Sequence, residues 1–223
     1  MERSVFYRLL KFPLIYSLSQ KLLAPGAGCL LKKHYKNIFG KPQGWVLDVG
    51  CGPSLTTPLP NGIIVGIDIN QLYVKKYTDV GIYTNPHYKR LYAGKLKRLG
   101  IVCSADSLPF HDNMFDESRC VGLLHHLPKE SALSTIMEMI RCTRAEGKII
   151  ILDSVWPKIP FSRPIAWLTR RFDRGEWVRP EDELLKLAST AYSGNWHHIR
   201  FTYSYTGLEA LLLTMQKPMD MPQ

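Results

Sequence analysis

Short apolar runs and longer stretches of apolar residues at helical spacing alternate along this chain. Residues 45–49, Trp-Val-Leu-Asp-Val, and 63–67, Ile-Ile-Val-Gly-Ile, are runs of strand length, the kind that marks strands buried on both faces. A strand pattern resumes at Val102-Cys103, another spans 115–124, and a further one 148–152. Leu133, Ile136, Met137 and Ile140 fall three or four apart, which predicts a helix over 130–143, ended by Gly147 before the strand that starts at Lys148. A helix over 181–191 and two late strands, 196–203 and 208–216, the second antiparallel, complete the pattern. Strands alternating with helices predict an α/β sheet, in which ligands sit at the carboxyl ends of the strands near the switch in strand order.

Upstream, Val5, Phe6, Leu9 and Leu10, then Leu14, Ile15, Leu18 and Leu22 after Pro13, form two pieces of helical spacing. Charges at positions 3, 8, 11 and 21 leave no apolar run of the roughly 18 residues that a membrane span needs. The run after Lys11 also lacks the small-x-small site of a signal peptide. A turn over 24–28 and a basic helix over 30–39, ended by Gly40, follow. Pro53, Pro58 and Pro60 leave room for only about a turn of helix between the first two strands. The link over 69–101 predicts one helix and an irregular insertion. Its tyrosines among Lys75, Lys76, Lys89 and Arg90 either stack on a ring and hold phosphates or pad the inner face of a solvated helix. Glu117 and Arg119 are foreign to a buried strand, so that strand is expected to start partly exposed.

The 223 residues, 45% apolar and 22% charged, fit one domain with a sizeable core, divided here into an amino-terminal helical lid segment, 1–43, and the body, 44–223. The five cysteines are odd in number and form no CxxC pair, which points to a reducing cytoplasm and to no metal site. The net charge of +10 is segregated: 1–43 carries +7, 71–99 carries +6, and the remainder is slightly acidic. Two such surfaces suit phosphate, anionic lipid or nucleic acid, or serve solubility alone.

Chemistry concentrates after the first strand. Gly50-Cys51-Gly52 is a turn whose backbone can approach a ligand closely. Asp68 ends the second strand, where an acid accepts hydrogen bonds from ribose hydroxyls. Pro53-Ser54 stand where the dinucleotide fingerprint would go on towards its third glycine. Further along come Ala105-Asp106-Ser107-Leu108-Pro109-Phe110 and Gly122-Leu123-Leu124-His125-His126-Leu127.

With Leu47-Asp48-Val49-Gly50-Cys51-Gly52, these motifs, in this order, resemble the class I S-adenosylmethionine-dependent methyltransferases, and within them the type 11 subgroup that contains the quinone methyltransferases. The resemblance implies a Rossmann-like, seven-stranded, mostly parallel sheet with helices on both faces and an antiparallel last strand. It implies S-adenosyl-L-methionine as cofactor. Asp48 and the backbone of Gly50, Cys51 and Gly52 would face its methionine part, Asp68 with Ile69 its ribose, and Asp106 with Ser107 its adenine, while Gly122 and Leu123 pass the sulfonium. Asp106 could equally form the turn before Pro109.

Methyl transfer needs no obligatory nucleophile, since positioning and a dry site supply most of the acceleration. An acceptor hydroxyl needs a base, for which His125 or His126 is the candidate. If the strand continues, the two face opposite ways and at most one reaches the pocket; the pair could also merely end the strand and bond a loop. His197-His198 reads as structural. The expected function is transfer of a methyl group to a small-molecule or lipid-linked acceptor by a cytoplasmic enzyme, with the amino-terminal segment as a lid or a peripheral contact to an anionic membrane. The competing class is a basic nucleic-acid-associated protein on the same fold. It is disfavoured, because the chain carries neither an Asn/Asp-Pro-Pro-Tyr/Phe motif, nor a Pro-Cys nucleophile, nor an RNA-binding appendage.

Overall fold

The computed structural model describes Leu18 and residues 22–39, 43–53, 61–83, 97–171 and 175–219. A seven-stranded sheet runs through it. Its strands are β1 (Gln43–Val49), β2 (Asn61–Asp68), β3 (Lys97–Val102), β4 (Phe115–Val121), β5 (Thr143–Val155), β6 (His197–Thr202) and β7 (Glu209–Gln216), in the order β3-β2-β1-β4-β5-β7-β6. β1 to β5 pair in parallel, and β7 runs antiparallel to both β5 and β6. The Rossmann-like expectation is met, antiparallel last strand included. Strand order reverses between β1 and β4, so the crevice that such sheets offer to ligands opens at the carboxyl ends of these two strands.

Side chains alternate across the sheet, and each face has its own helices. Leu47, Val49, Val65, Ile67, Cys120, Ile149 and Ile151 join one core with helix α3 (Lys129–Cys142) and helix α5 (Glu181–Ala191) through Ile136, Met139, Leu184 and Leu187. Each such fully buried aliphatic contributes roughly 1.5–3 kcal/mol. On the opposite face, helix α1 (Ala27–Phe39) lays Tyr35, Ile38 and Phe39 on Ile150, Leu152, Ala210 and Leu212. Helix α2 (Gln71–Tyr83) crosses from β2 to β3. Helix α4 (Pro164–Arg171) follows a short 3-10 turn after β5. α5 opens on Glu181, Asp182 and Glu183, charges that complement the positive end of the helix dipole. Buried Lys217 closes α3, its Nζ donating to the carbonyls of Ile140 and Thr143 at 2.9 and 2.8 Å.

Several expectations shift. α1 begins at Ala27, taking up the end of the expected turn. β3 occupies 97–102, so Val102 ends the strand rather than starting it. As an edge strand it exposes Leu99 and Val102, and its Lys-Arg-Leu-Gly start carries no apolar alternation. α3 ends at Cys142, and β5 begins immediately, five residues before Lys148. A register shift against β4 between Phe115 and Glu117 absorbs the early part. β4 stops at Val121, because Gly122 turns the chain with φ 69°. Glu117 and Arg119 are buried instead of partly exposed: they pair with each other through Arg119 Nε and Glu117 Oε1, and the Arg119 guanidinium lies 4.8 Å from the Phe39 ring centre. Most of the expected helix pair over 1–23, the prolines at 58 and 60 and the insertion over 84–96 lie outside the described residues.

Candidate active site

The register aligns Val49 with Ile67 and with Cys120, so the turn after β1, Asp68 at the end of β2 and Gly122 after β4 lie at one edge of three adjacent strands. The first turn is fastened to β2 by the Cys51 amide, which donates to the Ile67 carbonyl at 2.9 Å. Gly50 and Gly52 both have positive φ, 69° and 60°, in the left-handed region that costs little only for glycine. At Gly50 a Cβ would stand 2.8 Å from the Leu123 side chain, which closes the turn against the loop after β4. At Gly52 a Cβ would meet nothing within 4 Å among the described residues, so on that side this backbone faces open space. The Asp68 carboxylate accepts the Gly52 amide at 3.1 Å and the Asn70 amide at 2.8 Å. Burial raises the Asp68 carboxyl above its ordinary value, opposed by those two amide bonds. Ile69 follows, 78% exposed.

A glycine turn with open space at Gly52, an acid at the strand end and an apolar ledge at Ile69 fit a nucleoside carrying a charged tail. Asp106 and Ser107 lie in the loop that leaves β3 beside this ledge, since Val102 is the register partner of Asp68. Ser104 Oγ donates to Asp106 Oδ1 at 2.5 Å and holds that carboxyl below its usual range. Asp48 takes a different position, inside β1 before the turn. It is almost wholly buried, and the Tyr77 hydroxyl donates to its Oδ2 at 3.0 Å. Burial pushes the Asp48 carboxyl up to about 6, against the downward pull of Arg119 and of the Tyr77 hydrogen bond.

After Gly122 the chain does not continue as a strand. Residues 124–126 form a single 3-10 turn, so the two histidine rings lie 4.0 Å apart between centres instead of on opposite faces. The His125 Nδ1 bonds Asp153 Oδ1, and its amide donates to Asp153 Oδ2 at 3.1 Å. Burial would raise the Asp153 carboxyl, but His125 and the Ser154 amide together bring it below the ordinary range. An ionised carboxylate only accepts, so Nδ1 carries the hydrogen, and in the neutral form of the ring the lone pair is on Nε2. Among the described residues Nε2 has no hydrogen-bond partner, and the ring edge at Cε1 faces Gly122, 3.8 Å from where a Cβ would stand.

The segment 175–179 straps this turn in place. The Trp177 amide donates to the His125 carbonyl at 3.0 Å. The Arg179 guanidinium donates to the carbonyls of Leu124 and Leu127, each at 2.8 Å. Gly175 lies so close that a Cβ would come within 2.3 Å of His125 Cδ2.

Gly50, Cys51, Gly52, Asp68, Ile69, Gly122 and Leu123 are thus brought together, with Asp106 and Ser107 on one side and His125 and His126 on the other. Asp48, in β1 just before this turn, is held by the Tyr77 hydroxyl. His197 and His198 stand apart, on the exposed edge strand. Sequence reasoning missed Asp153, although an acid ending the apolar run 149–152 is the same signal that marked Asp68. It also missed Arg179, whose role depends on a tertiary contact. Among the described residues no group of three His, Cys, Asp or Glu is placed to hold a metal, and no helix is long and apolar enough to cross a membrane.

The family model described as "Methyltransferase domain" matches residues 47–151, the stretch from the first glycine turn to the middle of β5. The ubiquinone/menaquinone biosynthesis C-methyltransferase UbiE of Burkholderia mallei is 27% identical over 171 residues, 66% of this chain and 65% of the relative. The match therefore spans a little under two thirds of that protein. Among solved structures, the YcgJ protein of Bacillus subtilis superposes with a TM-score of 0.58 at 16% identity, over 85% of this chain and 98% of the other. Geranyl diphosphate C-methyltransferase from Streptomyces coelicolor, solved with Mg2+, geranyl diphosphate and S-adenosyl-L-homocysteine, superposes with 0.59 at 11% identity, over 85% and 79%. At such identities the structures establish the fold. Residues 47–151 are similar to the methyltransferase domain that this family model describes, in line with the resemblance to the type 11 S-adenosylmethionine-dependent methyltransferases.

Proposed function

We propose that the protein transfers a methyl group from S-adenosyl-L-methionine to a small, lipid-linked acceptor, with His125 taking the acceptor's proton. The observation that carries this reading is the buried His125–Asp153 pair beside Gly122, at the carboxyl edge of the sheet. Gly50, Gly52, Asp68 and Ile69 would hold the cofactor, which supplies a methyl group on a positively charged sulfur already primed for displacement. Asp153 fixes the imidazole through Nδ1 and leaves Nε2 to accept a proton from a hydroxyl or an acidic carbon. Arg179 and the Trp177 amide hold the backbone carbonyls of the turn, so the base meets an acceptor in one orientation. The lipid-linked character rests on relatives named for quinone biosynthesis, and the lid role of residues 1–43 forms part of the same proposal.

The test is transfer of labelled methyl to acceptors in a lipid extract, followed by His125→Ala and His126→Ala with cofactor affinity measured beside turnover. The expected result is a fall in turnover of roughly 10²–10⁴-fold for His125→Ala with unchanged binding of S-adenosyl-L-homocysteine. Full turnover in His125→Ala would return the pair to a structural role.

A further inference from the structure

Beyond the cofactor crevice, the connection from β5 to α4 presents an apolar ridge that no described residue covers. Phe161 is 97% exposed, Ile165 61%, Ile159 60% and Leu168 52%. This is not a helix that lacks a buried face. α4 is anchored by Ala166 and Arg170, both buried: Ala166 packs with Ala24 and Leu208, and Arg170 donates to the Tyr203 hydroxyl at 2.6 Å. At about 100° per residue, Leu168 stands opposite this anchored pair, with Ile165 beside it. The ridge is therefore what a firmly docked helix turns outward.

Its surroundings indicate what covers it. Residues 156–171 contain Lys158, Arg163, Arg170 and Arg171 and no acid. Lys158 and Arg171 are exposed at the two ends of the ridge, and Arg163 at its middle is half-buried. The Trp167 ring, itself 40% exposed, lies 6.4 Å from that of Trp156, at the start of the connection. An apolar apex, tryptophan at its side and cations at its rim are the chemistry of an element that lies in a membrane interface. A protein partner of opposite charge would match the cations, but it would not call for isolated aliphatic side chains projecting alone. Leu22, two residues before the Ala24 that packs on α4, is exposed as well.

We infer that the 156–171 connection is a docking surface for an anionic lipid bilayer, inserting Ile159, Phe161, Ile165 and Leu168 among the acyl chains while Lys158 and Arg171 meet phosphate headgroups. The connection starts directly after Val155, two residues beyond Asp153, so docking here sets the acceptor edge of the sheet against the membrane. This rests on the proposed lipid-linked acceptor only for its purpose. The binding itself is independent of methyl transfer.

The experiment is co-sedimentation of the full chain with vesicles of phosphatidylcholine alone and with added phosphatidylglycerol, at moderate salt. The variants are Phe161→Ser with Ile165→Ser, and separately Lys158→Gln with Arg171→Gln; all four positions lie outside the catalytic and cofactor sites. Circular dichroism melts confirm the fold, and sedimentation velocity gives the oligomeric state. The intact chain is expected to bind the anionic vesicles, with affinity falling at least about tenfold in the apolar variant and about fivefold per cation in the other. Failure of the intact chain to bind anionic vesicles, equal binding to both vesicle types, or undiminished binding by the apolar variant would each overturn the inference. So would a dimer that the apolar variant dissociates, since that would assign the ridge to a second copy. Methylation of a water-soluble acceptor by a chain that ignores vesicles would refute the docking surface and leave methyl transfer standing. Vesicle binding without any transfer would do the reverse.

Discussion

Asp48 offers a test of the site's foundation that needs no substrate. Its carboxyl is buried between Tyr77 and Arg119, and burial raises it from 3.8 to about 6. A carboxyl whose folded value lies above its unfolded one binds its proton more tightly in the folded state. Its stabilising effect is therefore complete below about pH 4 and is lost as pH rises to about 6, after which the loss is constant. A displacement of roughly two units corresponds to about 3 kcal/mol, a large share of the stability of an ordinary domain. Asp48→Asn keeps an acceptor for the Tyr77 hydroxyl and cannot ionise. Relative to the parent, the variant should gain about 3 kcal/mol between pH 4 and pH 7, whatever its offset at either end. Urea unfolding at pH 4, 5, 6 and 7 measures this, because every other titrating group cancels in the difference between the two proteins. Parallel stability curves over that range would refute the reasoning and mean that Asp48 ionises as freely folded as unfolded.

Three further outcomes follow from the geometry. Asp68→Ala removes the acceptor that joins the Gly52 and Asn70 amides and should weaken S-adenosyl-L-homocysteine binding by roughly 1.5–3 kcal/mol; calorimetry showing unchanged affinity, or tight NAD binding in the parent, would remove the cofactor assignment. Gly175→Ala forces a methyl into the His125 ring and backbone and should destabilise the fold by about 1–3 kcal/mol and slow turnover; a melting curve and rate like the parent's would show that the strap yields freely. Asp153→Asn leaves Nδ1 free to lose its hydrogen, so the pH–rate profile should change shape as well as height, with cofactor affinity unaffected; a uniform drop in rate at every pH would mean Asp153 only supports the fold.

Much of the sheet was legible because β1, β2 and the inner part of β5 are buried on both faces, and continuous apolar runs such as 45–49 and 63–67 have few other uses. The glycine turn was legible for a related reason, since Gly50 and Gly52 occupy conformations that few other residues adopt. Legibility failed where a residue's partner is distant in sequence. Arg119 looked out of place in a buried strand because its neighbours, Glu117 on the same strand and Phe39 on α1, form a polar and aromatic niche that periodicity does not report. The edge strand β3 was shifted because its Leu99 and Val102 face solvent and its apolar signal is weak. The opposite-face arrangement of His125 and His126 depended on the strand continuing, and the positive φ at Gly122 ends it and converts their alternation into a turn.

The strap over 175–179 also joins the proposed base to the ridge. β5 delivers Asp153 to His125 and then, after Val155, must leave the sheet; it does so beside Arg179, with which Val155 forms an isolated parallel bridge. The Trp156 amide donates to the Arg179 carbonyl at 3.2 Å, and its indole Nε1 to the Val178 carbonyl at 2.8 Å. The same five-residue strap that holds the histidine turn thus also holds the root of the 156–171 connection. A displacement of the connection would pass through Trp156 to Arg179, and from there to the carbonyls of Leu124 and Leu127 that flank His125. In this arrangement the segment that would meet the acceptor's surroundings and the group that would take its proton share one support, so their relative position is set by the fold and not by either loop alone.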